Sequence, residues 1–200
     1  MSRGSSEGSL DEERLEERIL SILAQSPVST EVAHAERVRY YVLQLKPDAE
    51  YALQIAALSH DIERGVPPRV GGENKEKFVD YDAHKREHSE RSAAIISGLL
   101  GEQGFKHPFI VAVHHYVLHH EFGGDPDTDV LKDADSLSFF DENLSWYLAH
   151  HGEATTRKKI RFMYNRMGEC AKTLLRGKTY DDPTLHTIFR EEVDARKNEP

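Results

Sequence analysis

The segment ALSHDIERG, residues 57–65, sets a His directly before an Asp at the end of an apolar run, just ahead of a Gly and a Pro pair. An imidazole and a carboxylate are both metal donors. Ala52, Ile55, Ala56 and Leu58 precede them at helical spacing, which places that helix in the interior and His60-Asp61 near its C-terminal end. An unpaired carboxylate there would be costly, and cation coordination is one of the few remedies. A divalent cation in a helical bundle takes inward-pointing imidazoles and carboxylates from several helices, with a position left for water. Two further sources stand in the chain. HAERV supplies His34 beside apolar Ala35 and Val38, and LKDADSL supplies Asp133 and Asp135. Carboxylates two residues apart cannot face the same way on a helix, so one is the ligand and the other a cap or a supporting group.

Twelve His in 200 residues is the outlying number of the composition. They are interior and clustered, at His84 and His88 and again at His114, His115, His119 and His120, which fits a metal site and not a terminal tag. His88, His115, His119 and His120 are candidates for a second metal or for contact with phosphate. His84, His107, His150, His151 and His186 read as solvated. Arg37, one turn after His34, is placed to hold Asp61, a substrate phosphate or a surface partner. Glu63 and Arg64 follow the His-Asp pair, to orient water, hold phosphate or solvate the helix end. The loop 64–77 is long and Gly-rich enough to serve as a lid. In RKKIRFMYNRM, Ile160, Met163 and Met167 form a core stripe. Lys158, Lys159, Arg161 and Arg166 form its solvated face, from which one cation can reach a phosphate.

The elements that must position these residues read as helices. The pattern predicts helices over 10–24, 31–44, 50–63, 82–100 and 108–121, with Ser29 or Thr30 capping the second. It predicts one long helix or two short ones over 130–150, and a strong helix over 155–175. No segment reads as a strand, so the fold class is all-α. The length suggests one domain, 10–190, between a Gly/Ser-rich disordered tail at 1–9 and a frayed tail at 191–200.

The net charge of −9 argues against general nucleic-acid binding but leaves a small phosphorylated partner open, because a bound metal reverses the local field. The single Cys, Cys170, cannot form an internal disulfide and falls on a helical apolar stripe as a small core residue. No run is apolar enough to span a membrane, and no apolar leader opens the chain, so a cytoplasmic location is expected. Assembly into a homo-oligomer is compatible with the sequence.

His34, then His60-Asp61, then Asp135 resemble the H…HD…D signature of the HD-domain superfamily of metal-dependent phosphohydrolases. HAERV is similar to the segment that opens such domains, AALSHDI to their central motif, and DADSL to the segment whose second Asp is usually the ligand. The resemblance covers residues 30–147. HSERSA and VHHYVLHHE are similar to segments of a His-rich branch. There His88 matches a ligand. Alignment on Val113 and Val117 selects His115 and His120, and alignment on HHE selects His119 and His120. The Gly-Tyr-Pro signature of the cyclic-dinucleotide branch and the Glu-Asp pair of alarmone hydrolases do not match.

The resemblance implies an HD-domain-like helical bundle. It implies a divalent transition metal (Mn, Fe, Co, Ni or Zn), one or two per chain, on His34, His60, Asp61 and Asp135. The expected activity is hydrolysis of a phosphoester in a small molecule such as a nucleotide. Asp61 and Glu63 are the expected catalytic groups, and Arg37 and Arg64 the expected contacts to substrate. The alternatives are a di-iron oxygenase of the same fold and a non-catalytic module that binds metal or nucleotide.

Overall fold

The computed structural model describes residues 4–67 and 81–195, with side chains at 10–67 and 82–195. The described residues form helices joined by turns and short loops, with no strand among them. The helices are α1 (Gly4–Leu23), α2 (Glu31–Leu45), α3 (Tyr51–Ser59), α4 (Tyr81–Glu102), α5 (His107–His119), α6 (Pro126–Ser138), α7 (Leu144–Arg166), α8 (Glu169–Arg176) and α9 (Pro183–Asp194). None of them is long and apolar enough to cross a membrane. Residues 1–3 and 196–200 of the two expected tails lie outside the described residues. So does the expected lid from residue 68 onward. Helix α1 begins inside the first tail, and α9 extends into the second with Val193 buried.

Two apolar cores share α6. The first gathers Leu15, Ile19 and Leu23 of α1 with Val38 and Val42 of α2, Ile55 and Leu58 of α3, and Ile96, Val113 and Val117 of α4 and α5. Leu131 and Ala134 of α6 close it. The second packs Leu137 and Phe140 against Ile160 and Met163 of α7 and Phe189 and Val193 of α9. Each fully buried Leu, Ile or Phe contributes about 1.5–3 kcal/mol, so these stripes fix the helix orientations on which the polar site depends.

Several local expectations are corrected. The third helix stops at Ser59, and a 3-10 turn over Ile62–Gly65 replaces its last turn. Neighbouring residues on an α-helix diverge by about 100°, but Asp61 leaves helical geometry at φ −105° and ψ 17°, and its Oδ2 lies 3.5 Å from His60 Nε2. Gly65 is required there, because a Cβ would collide with the Ile22 carbonyl of α1. Thr30 does begin α2, but it does not cap it, because its hydroxyl accepts a hydrogen bond from Asn143 instead. Helix α6 passes through a π-helical turn, Phe139–Asn143, into α7, which kinks at Gly152.

The expected helix 155–175 breaks between α7 and α8. At the break the Gly168 amide donates to both carboxylate oxygens of Asp133, at 3.0 and 3.1 Å. A Cβ at Gly168 would meet Asp133 Oδ2 at 2.9 Å. Cys170 is exposed, not a core residue: Ala171 and Leu175 form the buried stripe of α8, and Cys170 lies one position off it. Ile160, Met163 and Met167 are buried as the spacing indicates.

Candidate metal centre

Five helical segments each deliver donors to one buried point. Helix α2 brings His34, and the end of α3 brings His60 and Asp61. Helix α4 brings His88, the end of α5 brings His120, and α6 brings Asp135. His34, His60 and Asp61 form one group able to hold a metal ion, and Asp61, His88 and His120 form a second. Asp61 belongs to both through different oxygens. Its Oδ2 lies 3.9 Å from His34 Nε2 and 3.5 Å from His60 Nε2. Its Oδ1 lies 2.7 Å from His88 Nε2 and 4.0 Å from His120 Nε2. Asp135 Oδ1 joins the first group, 3.3 Å from His34 Nε2 and 3.9 Å from His60 Nε2.

The imidazoles are oriented from behind. His60 Nδ1 donates to the Ala57 carbonyl at 2.9 Å, and His120 Nδ1 to the Val117 carbonyl at 2.7 Å. The Ser138 hydroxyl donates to the His34 carbonyl, so its oxygen accepts from His34 Nδ1 at 2.9 Å. His88 Nδ1 donates to Glu63 Oε1 at 3.0 Å. With each Nδ1 engaged, every Nε2 is turned inward, which is how ligating His residues are held. His60 Nε2 is buried without a hydrogen-bond partner. A buried lone pair of this kind is what a cation satisfies. Four imidazole nitrogens and two carboxylates suit a divalent transition metal.

The ionisable groups of the centre shift one another strongly. Burial works against charge on Asp61, but the Arg64 guanidinium and the His60 and His88 imidazoles hold its carboxyl well below the usual range. Burial is likewise overcome at Asp135 by His34 and Arg166, so that carboxyl is also held low. At His88 burial is outweighed by the Asp61 and Glu63 carboxylates, which push the imidazole up to about 9. At His120 burial and the neighbouring His60 push it down to about 4.

The surrounding charges include residues that the sequence pattern did not single out. Arg64 Nη1 lies 2.8 Å from Asp61 Oδ2 and 3.0 Å from Glu31 Oε1. Glu31 is buried one turn before His34, a spacing that marks it in retrospect. Ser138 stands one turn after Asp135 in the same way. Arg166, read as part of a solvated face, turns inward instead. Its Nη1 lies 3.3 Å from Asp135 Oδ2, and its Nη2 donates to the carbonyls of His120 and Glu121. Lys85, one turn before His88, lies 3.0 Å from Glu121.

Other candidates stand elsewhere. Arg37 pairs with Glu142 at 3.0 Å and Asp141 at 3.4 Å, on the π-helical turn. Glu63 is buried behind His88, where it orients that imidazole. His115 points to Asp125 at 2.8 Å in an exposed position, and His119 Nδ1 donates to the His115 carbonyl. Of the three α5 candidates, His120 alone joins the centre, because the buried face of α5 carries Val113 and Val117 and turns inward again at 120. Asp133 accepts the Gly168 amide ahead of α8, leaving Asp135 for the centre.

A family model described as a domain of unknown function, DUF4202, matches residues 12–188. No curated protein and no solved structure matches the chain.

Proposed function

The chain belongs to the DUF4202 family, and we propose that it is a metal-dependent phosphohydrolase of HD-domain type acting on a small phosphorylated molecule. The observation that carries this reading is the division of the Asp61 carboxylate between two imidazole pairs, with the Arg64 and Arg166 guanidiniums beside it and Asp135. His34, His60, Asp61 and Asp135 would hold one ion, and Asp61, His88 and His120 a second. Bound divalent ions there would supply Lewis acidity toward a phosphoryl oxygen and lower the pKa of water.

The chain's own groups do the rest. The Nδ1 partners keep each imidazole in a fixed tautomer, and Glu63 makes His88 a more basic donor. Arg64 stands between Asp61 and solvent, its side chain 39% exposed, where a guanidinium can neutralise charge on a phosphoryl group. Hydrolysis adds water across the ester P–O bond and releases phosphate and an alcohol.

The test is phosphate release from a panel of small phosphoesters by metal-free protein reloaded in turn with Mn, Fe, Co, Ni or Zn. At least one metal should support turnover, and Asp61→Asn should abolish it. The same donors also suit two irons, so dioxygen uptake is followed in parallel. Oxygen consumption by the iron form without phosphate release would replace the hydrolase with an oxygenase. Metal binding without either reaction would leave a non-catalytic module.

A further inference from the structure

Asp61 Oδ2, the oxygen turned to His34 and His60, also lies 2.8 Å from Arg64 Nη1. A cation of the chain and a metal ion would therefore draw on one oxygen, and two positive charges that close repel each other. The same Nη1 lies 3.0 Å from Glu31 Oε1, so two carboxylates share one nitrogen. Glu31 is the first residue of α2, one turn before His34. A carboxylate is favoured at a helix N-terminus, yet this one is only 2% exposed, an unusual burial for a glutamate.

The second oxygen, Glu31 Oε2, is buried without a hydrogen-bond partner. Leaving a buried acceptor unused is costly. A guanidinium presents several N–H groups in a fork that matches both oxygens of a carboxylate. Arg64, turned from Asp61 toward Glu31, would engage both. Arg64 has further contacts as well, and the variants below isolate the one with Glu31.

The other ligand carboxylate repeats the arrangement with a difference. Arg166 Nη1 lies 3.3 Å from Asp135 Oδ2 and 3.4 Å from Glu121 Oε2. That Glu121 oxygen also meets Lys85 at 3.0 Å, whereas Glu31 keeps one oxygen in reserve.

We propose that Glu31 is a positioning residue of the metal centre. It holds Arg64 through one oxygen and, when an ion takes Asp61 Oδ2, receives the guanidinium on both. The ion is thereby relieved of much of the repulsion from Arg64. This rests on the metal-binding part of the proposed function and not on the reaction.

The probe is Co(II), titrated into the metal-free full chain against a competing chelator, with the visible absorption of the bound ion recorded. The phase of interest is the one that His34→Ala removes. Glu31→Gln keeps the size and loses the charge. It should weaken that phase by about 10- to 100-fold and leave any other phase in place. Glu31→Asp, charged but one methylene shorter, should fall between. Replacing both partners leaves no buried charge uncompensated. Glu31→Gln combined with Arg64→Met should therefore bind Co(II) as Arg64→Met alone does, and close to wild type. Circular dichroism checks the helices of each variant. Where Glu31→Gln does not fold, Glu31→Asp and the double variant carry the same comparison.

Equal weakening by Glu31→Gln with and without Arg64 would make Glu31 an independent charge and overturn the assignment. Unchanged affinity in Glu31→Gln and Glu31→Asp would overturn it too, as would loss of Co(II) from a folded double variant. Wild type that binds no Co(II) would overturn this inference and the metal-dependent reading together. The expected cycle without phosphate release would sustain the role of Glu31 and count only against the hydrolase.

Discussion

The two sides of Asp61 use the same residue type and support it differently. On the Oδ2 side, His34 and His60 have neutral oxygens behind them, the Ser138 hydroxyl and the Ala57 carbonyl, and a second carboxylate, Asp135, in front. On the Oδ1 side, the carboxylate of Glu63 stands behind His88, and His120 has a backbone carbonyl. Negative charge is therefore a donor in its own right on one side. On the other it acts through an imidazole, whose basicity it raises. The same centre thus contains one half built by adding a ligand and one built by strengthening a ligand.

The largest effect should come from the residue the halves share. Asp61→Ala should remove metal from both sides and cut turnover by at least about a thousandfold, read by elemental analysis and phosphate release. Next come variants that separate the halves. His34→Ala and His88→Ala should each retain about one metal per chain where wild type holds about two, and the two should differ in which side remains. Equal loss of all metal in both would merge the halves into one site.

Support from behind should weigh less. Glu63→Gln should weaken metal binding by about 10- to 100-fold, confined to the weaker of two phases in a titration. Ser138→Ala should act on the other phase and by less, because its partner is neutral.

The smallest effect concerns the helix that carries Asp135. Asp125 caps α6, with its side chain accepting from the Asp127 and Thr128 amides and Pro126 at the first helical position. Asp125→Ala should cost about 1 kcal/mol of stability in denaturant melts, with metal stoichiometry kept. Burial alone would raise the Asp125 carboxyl, but hydrogen bonds from His115, Thr128 and Asp127 pull it down to about 2. A carboxyl held below its ordinary value stabilises the fold above that value and ceases to as pH falls through the lower one. The wild-type advantage over Asp125→Ala should therefore persist above pH about 4 and vanish toward pH about 2.

The donors of the centre were legible because ligands must be polar in otherwise apolar runs. His60-Asp61 after Leu58, and His34 before Val38, stand out for that reason. The all-α class was legible from periodicity, since Leu15, Ile19 and Leu23 or Ile160, Met163 and Met167 follow a helical repeat into the cores. Chain ends and breaks were not. Between α7 and α8 the Gly168 amide is held by Asp133, far back in the chain, and no local pattern announces that contact. Arg166 reads as solvated from its neighbours and is drawn inward by Asp135. His115 and His119 could not be told from His120 by type, because the buried turn and the Val117 carbonyl make the difference. Helix α9, absent from the expected helices, carries the same signal, with Leu185, Ile188, Phe189 and Val193 at helical spacing behind the Asp182 cap.

The most direct test of the central claim is metal stoichiometry in the full chain, wild type beside Asp61→Ala, by elemental analysis after reconstitution and dialysis. With one carboxylate serving two imidazole pairs, wild type should retain about two transition-metal ions per chain and the variant close to none. A wild-type chain that holds no metal, or a variant that holds as much as wild type, would contradict it.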